Sequence, residues 1–117
     1  MTEPFDQDAA KKFLLDREAK EKALNEQIRN EVLERAISVL KEEFEASDVE
    51  VYLVGSLIRP HAFTKNSDVD IVLKNFSGDR FEIWTKLEEE IGRDVEVILF
   101  ESCSFKEFVE SDGMKVV

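Results

Sequence analysis

The stretch VYLVGSLIRPHAFTKNSDVDIVL, residues 51–73, decides how this chain is read. Two apolar runs flank a polar loop. In the first, Val49, Val51 and Leu53 alternate with Glu50, Tyr52 and Val54, a period of two that marks a strand. It stops abruptly at Gly55-Ser56. The second run, Ser67 to Leu73, also reads as a strand but carries Asp68 and Asp70 at alternate positions. Residues two apart on a strand face the same side, so these carboxylates are expected to project together while Val69 and Ile71 point to the opposite, buried face. Two carboxylates so close disfavour each other's ionisation, and a divalent cation is the natural compensation. Mg²⁺ takes hard oxygen ligands and commonly uses one or two carboxylates together with substrate phosphates. Two such ions, roughly 3.5–4 Å apart, steady the attacking and leaving oxygens of an in-line phosphoryl or nucleotidyl transfer.

A third acid is available on RDVEVILF, residues 93–100. This is a further strand, Asp94 to Phe100, in which Val95, Val97 and Leu99 take one face and Asp94 and Glu96 the other. Glu96 is better placed than Asp94 because valines flank it on both sides, whereas Asp94 stands at the strand's start and suits a turn. The Gly55-Ser56 pair lets backbone approach a ligand closely, and a short helix opening at Ser56 would turn its amides and hydroxyl towards an anion. Each feature alone has a plainer reading. Asp-x-Asp suits the solvated face of an edge strand, and Gly-Ser suits a tight turn.

Outward from this core, the chain has no glycine before Gly55 and only Pro4 as an earlier proline. From about Asp8 to Glu45 it is rich in good helix formers. Leu24, Ile28, Val32, Ala36, Leu40 and Phe44, joined by Leu33 and Ile37, make an amphipathic stripe of one long helix, or of the second of two. Phe13, Leu14 and Leu15 form a separate apolar cluster, either packed on the domain or gripping a partner. Asp79 is placed to cap a helix from Arg80 to Ile91, with Gly92 at its end. Ser104 and Glu107 form a capping-box pattern for a last short helix, Phe105 to about Glu110.

The 117 residues suit one domain, and 43% apolar composition is enough for a core. With 27 acidic against 16 basic side chains the net charge is −11. Such a surface repels nucleic acid, which needs Lys/Arg clusters, but suits a basic protein or a metal–nucleotide complex. Cys103 is the single cysteine, so an internal disulfide and a Cys-based zinc site are excluded. No apolar run approaches the roughly 20 residues that cross a bilayer, and MTEPFDQDAAKK lacks a signal-peptide layout. The expected location is the cytoplasm.

Strand, Gly55-Ser56, a loop with Arg59, then Ser67-Asp68-x-Asp70 on a second strand resembles the signature of the nucleotidyltransferase fold. The match is nearest to the minimal nucleotidyltransferases, including the MntA-type antitoxins, whose motif reads Gly-Ser, two residues, Arg-Gly, then Ser-Asp-x-Asp. Pro60 stands where that family has glycine, and Glu96 where it has aspartate. The resemblance covers about Val49 to the C-terminus. It implies an α/β (α+β) fold, a small mixed sheet with helices packed on one face and a long N-terminal helix. Residues 1–24 would be a helical extension and 25–117 the nucleotidyltransferase domain.

By the same resemblance, AMP passes from Mg–ATP to a hydroxyl. Asp68, Asp70 and Glu96 hold Mg²⁺, two ions in all, and Glu96 helps deprotonate the acceptor. Gly55 and Ser56 hold the triphosphate, and Arg59 and Ser67 also bind the nucleotide. Lys65 and Lys74 have the charge for phosphate, and His61 sits in the loop between the motifs. So short a domain leaves the acceptor site to be completed by another chain. In the antitoxin branch that chain is a HEPN-domain RNase toxin, AMPylated on a tyrosine in a hetero-oligomer. The alternatives are an antitoxin that acts by steric binding alone and AMP transfer to a small molecule.

Overall fold

With no glycine or proline to interrupt it, the Ala-, Leu-, Glu- and Lys-rich segment before the first strand forms a single helix rather than two, α1, Gln7–Phe44. The computed structural model describes residues 6–117, and the first five residues of the expected extension lie outside the described residues. Asp6 starts the helix by accepting a 3.0 Å bond from the Ala9 amide. The stripe holds from Ile28 onward: Ala36, Leu40 and Phe44 are buried, and Ile28, Val32, Leu33 and Ile37 pack against the core. Leu24 is 56% exposed and Phe13 67%. The first turns therefore run clear of the domain, and the molecule measures 74 × 29 × 20 Å.

After α1 come β1 (Glu50–Val54), a single 3-10 turn (Gly55–Ile58), β2 (Val69–Lys74), α2 (Arg80–Ile91), β3 (Val95–Leu99), a second 3-10 turn (Phe100–Ser102), α3 (Lys106–Asp112) and β4 (Met114–Lys115). The result is a mixed α+β fold with a four-stranded open sheet in the order β3-β2-β1-β4. β1 runs antiparallel to β2 and β4, and β2 runs parallel to β3. α2 starts and stops where its capping residues predict. Asp79 accepts from the Phe81 and Glu82 amides at 2.9 and 3.2 Å, and Gly92 takes the left-handed conformation, φ 77°.

Side-chain alternation along the strands gives the sheet two unlike faces. Val51, Leu53, Val69, Ile71, Leu73, Val95 and Val97 pack with α1 and with Ile83, Leu87 and Ile91 of α2. Tyr52, Val54 and Val72 take the other face, where they meet Phe100, Cys103 and Val109 of α3. The expectation that the helices share one face is thus corrected, because Val109 gives α3 an apolar contact that only the second face can bury.

The ends of elements differ in other ways. β2 begins at Val69 and not Ser67, and β3 spans Val95–Leu99 and not Asp94 to Phe100. The capping box at Ser104 does not form: Phe105 precedes α3, no side chain caps it, and the Phe105 amide bonds to Cys103 Sγ instead. β4, two residues long, has no forerunner in the sequence pattern.

Candidate functional site

The site begins with register. Val54 of β1 stands opposite Asp70 of β2, and Asp70 stands opposite Glu96 of β3. The three residues cross the sheet in one row, on the face that α3 covers in part. Asp70 is partly buried, while Glu96 and Asp68 are exposed. Burial pushes the Asp70 carboxyl up to about 6, helped by the negative charges of Glu96 and Asp68 and by a hydrogen bond shared with Glu96. Among the described residues no Lys or Arg forms an ion pair with any of these three acids.

Gly55 follows Val54 and lies over Asp70. Its φ of 79° is in the left-handed region, and a Cβ there would collide with Asp70 Oδ2. Glycine is therefore required twice, for conformation and for room. The close approach it permits is that of Asp70's own carboxylate. Ser56 follows in the 3-10 turn, where its carbonyl accepts from the Arg59 amide at 3.1 Å. The Arg59 guanidinium lies 5.7 Å from the centre of the Phe108 ring on α3, a cation–π distance.

Asp68 stands just before β2 rather than on it. The Ser67 hydroxyl accepts from the Thr64 amide at 3.0 Å and lies 3.3 Å from the Thr64 hydroxyl, so it is spent on closing the loop. Of the two candidates for third acid, Glu96 is the one paired with Asp70. Asp94 serves through its backbone, its carbonyl accepting from the Val69 amide at 3.0 Å. Lys74 lies at the far end of β2 and pairs with Glu50 and Glu110. His61, with φ 66°, turns its Nδ1 towards Glu26 of α1, 3.7 Å away.

Several residues that hold the loops belong to no motif in the sequence. Arg29 of α1 donates from Nη1 to the Leu57 carbonyl at 3.1 Å and from Nε to Glu26 at 2.7 Å, tying the Gly55–Ile58 turn to the long helix. Its placement one helical turn before Leu33, beside the apolar stripe, is the signal that could have found it. Phe63 is fully buried beneath the loop, and Arg93 lies over its ring.

The donor set suits a hard divalent cation: carboxylate oxygens, two of them pressed together without a cationic side chain to neutralise them. As the side chains stand, no three His, Cys, Asp or Glu among the described residues converge into a ready metal cage. Asp70 and Glu96 are the adjoining pair, and an ion held there would draw its remaining ligands from Asp68, phosphate or water. No protein-family model matches the chain, and neither a curated protein nor a solved structure matches it. Among the described residues no helix is long and apolar enough to cross a membrane.

Proposed function

We propose that this chain is a nucleotidyltransferase of the minimal type, moving AMP from ATP to a hydroxyl on a partner protein. The partner proposed is the HEPN-domain RNase toxin that the motif resemblance implies, which the modification would silence. The observation that carries the reading is the row Val54–Asp70–Glu96, with Gly55 stripped of a side chain directly above Asp70. A sheet that merely needed a solvated face would not press a partly buried carboxyl against a second one and leave both without a cation.

In this reading Asp70, Glu96 and Asp68 hold Mg²⁺, two ions in the full site. When bound, the metal neutralises the triphosphate and the charge that develops during transfer. Gly55 and Ser56 lie beside the triphosphate, and Arg59 contributes positive charge from the α3 side. Ser67 acts by shaping the loop before Asp68. The acceptor oxygen bonds to the α-phosphorus, the bond from that phosphorus to the β-phosphate's bridging oxygen breaks, and pyrophosphate leaves. The hydroxyl proton passes to the Glu96 carboxylate.

Neutralisation by binding alone is the competing reading. It is favoured by the projecting helix, which exposes Phe13, Leu14 and Leu15. One experiment separates the two. The candidate toxin is incubated with this chain, ATP and Mg²⁺ and its intact mass is measured, beside an Asp68→Asn/Asp70→Asn double variant. Mass gains in whole AMP units that vanish with the variant are the expected result. An unmodified toxin that is still bound and inhibited, by wild type and variant alike, would replace the catalytic reading with the steric one.

A further inference from the structure

Asp68 lies outside β2, yet both peptide units that flank it are tied down, and by consecutive residues. Before it, the Ser67 carbonyl accepts from Arg93 Nη2 at 3.0 Å. After it, the Val69 amide donates to the Asp94 carbonyl at 3.0 Å. The same Nη2 lies 2.9 Å from the Lys65 carbonyl and 3.2 Å from that of Thr64. One nitrogen thus gathers three carbonyls of a four-residue turn, which is closed internally by the Ser67 amide bonding to the Thr64 carbonyl at 3.1 Å.

The guanidinium is held from its other side as well, 4.7 Å from the centre of the buried Phe63 ring. Its Nε is buried without an acceptor, an arrangement that costs free energy. The ring and the three carbonyls therefore fix where the guanidinium sits, and it keeps that place although one of its own donors goes unsatisfied.

We infer that Arg93 is a positioning residue for Asp68: by gathering the Thr64, Lys65 and Ser67 carbonyls it fixes where the Asp68 carboxylate stands relative to Asp70 and Glu96. Only the consequence for metal binding rests on the nucleotidyltransferase reading. The backbone restraint stands apart from it. Groups that orient a ligating side chain without touching the ion commonly affect affinity nearly as strongly as the ligands do.

The test uses the full chain and two variants. Arg93→Met keeps a long apolar stem over Phe63 and removes every donor, while Arg93→Lys restores a charge and donors without the planar fork. Two readouts are taken: residue-resolved amide hydrogen exchange without metal, and titration with Mn²⁺ alone followed by electron paramagnetic resonance. For Arg93→Met, exchange at Ser67 to Val69 should quicken by roughly tenfold, the loss of one or two hydrogen bonds, while Leu53 and Val72 keep wild-type protection. Mn²⁺ affinity should fall by roughly 10–100-fold, and Arg93→Lys should recover part of both losses.

Wild-type exchange and affinity in Arg93→Met would overturn the inference. So would exchange quickened evenly across the sheet, which marks a residue that only supports the fold. Should Arg93→Met fail to fold, Arg93→Lys is judged by the same readouts, with a smaller loss at the same residues expected and wild-type behaviour overturning. A wild-type chain that binds no Mn²⁺ would sink the nucleotidyltransferase reading, while the exchange arm would still decide whether Arg93 holds Asp68.

Discussion

The two faces of the sheet are built, residue by alternate residue, from the same three longer strands, β1, β2 and β3, yet they have opposite characters. The face towards α1 and α2 is apolar and closed, with Leu40, Leu53, Ile71, Leu87 and Val97 all wholly buried. The other face is closed only where α3 and the Phe100 turn lie on Tyr52, Val54 and Val72, and beyond them stand Asp70 and Glu96. Among the described residues no polar or charged side chain is fully buried, so the acids are kept at the margin of the smaller cluster. A small domain can thus accommodate a repulsive carboxyl pair: apolar burial on one face supplies the stability that the other face gives up.

Damage to the closed face should have the largest effect on the molecule. Leu40 of α1 has no exposed surface and packs into the core that joins α1 to the sheet. Leu40→Ala should cost about 2–5 kcal/mol in urea denaturation, the usual range for a leucine truncated in a tight core. A loss below about 1 kcal/mol would mean that α1 rests on the sheet without holding it.

The acid face should respond in the opposite direction. Folding raises the Asp70 carboxyl from its ordinary 3.8 to about 6, so the folded chain binds that proton more tightly than the unfolded chain does. The stabilisation this represents is complete below about pH 4 and is lost as pH climbs towards 6. At pH 7 Asp70 is therefore a liability, and Asp70→Asn should raise stability. With solvent screening over its exposed part, the gain should be on the order of 1 kcal/mol. It should vanish near pH 4, where both side chains are neutral. Thermal melts of the two proteins across pH 4 to 8 read this directly. A variant less stable than wild type at pH 7 would show that the carboxylate is held by favourable contacts.

The same contrast explains what the sequence made legible. α2 could be bounded to the residue because its signals, Asp79 and Gly92, act on their nearest neighbours. Alternation told which strand residues share a face, and so joined Asp70 with Asp68 on one strand and predicted a matching acid on another. It could not tell strand order, because the pairing of Asp70 with Glu96 depends on β2 and β3 meeting across the whole of α2. Asp68 fell off the strand because Arg93, far along the chain, draws the preceding carbonyls into a turn. α3 has seven residues and one buried side chain, Val109, too little periodicity to show which face it covers. The capping box failed because backbone around Phe105 turned to Cys103 first, and β4 is too short to alternate at all.

The smallest expected effect concerns a third region that belongs to neither face. α1 is 38 residues long, roughly 57 Å at the standard rise, and its outer turns leave Phe13, Leu14 and Leu15 more than half exposed. The radius of gyration of 19.3 Å exceeds the roughly 13 Å of a compact chain this long, and the overhanging helix accounts for the excess. Replacing all three residues by alanine keeps the helix, since alanine is its best former, and removes no intramolecular packing. The melting curve of a dilute sample should therefore stay within about 0.5 kcal/mol of wild type. A larger loss, growing with protein concentration, would mean that this cluster packs against a second copy, and that the overhang is buried surface in the protein's working state.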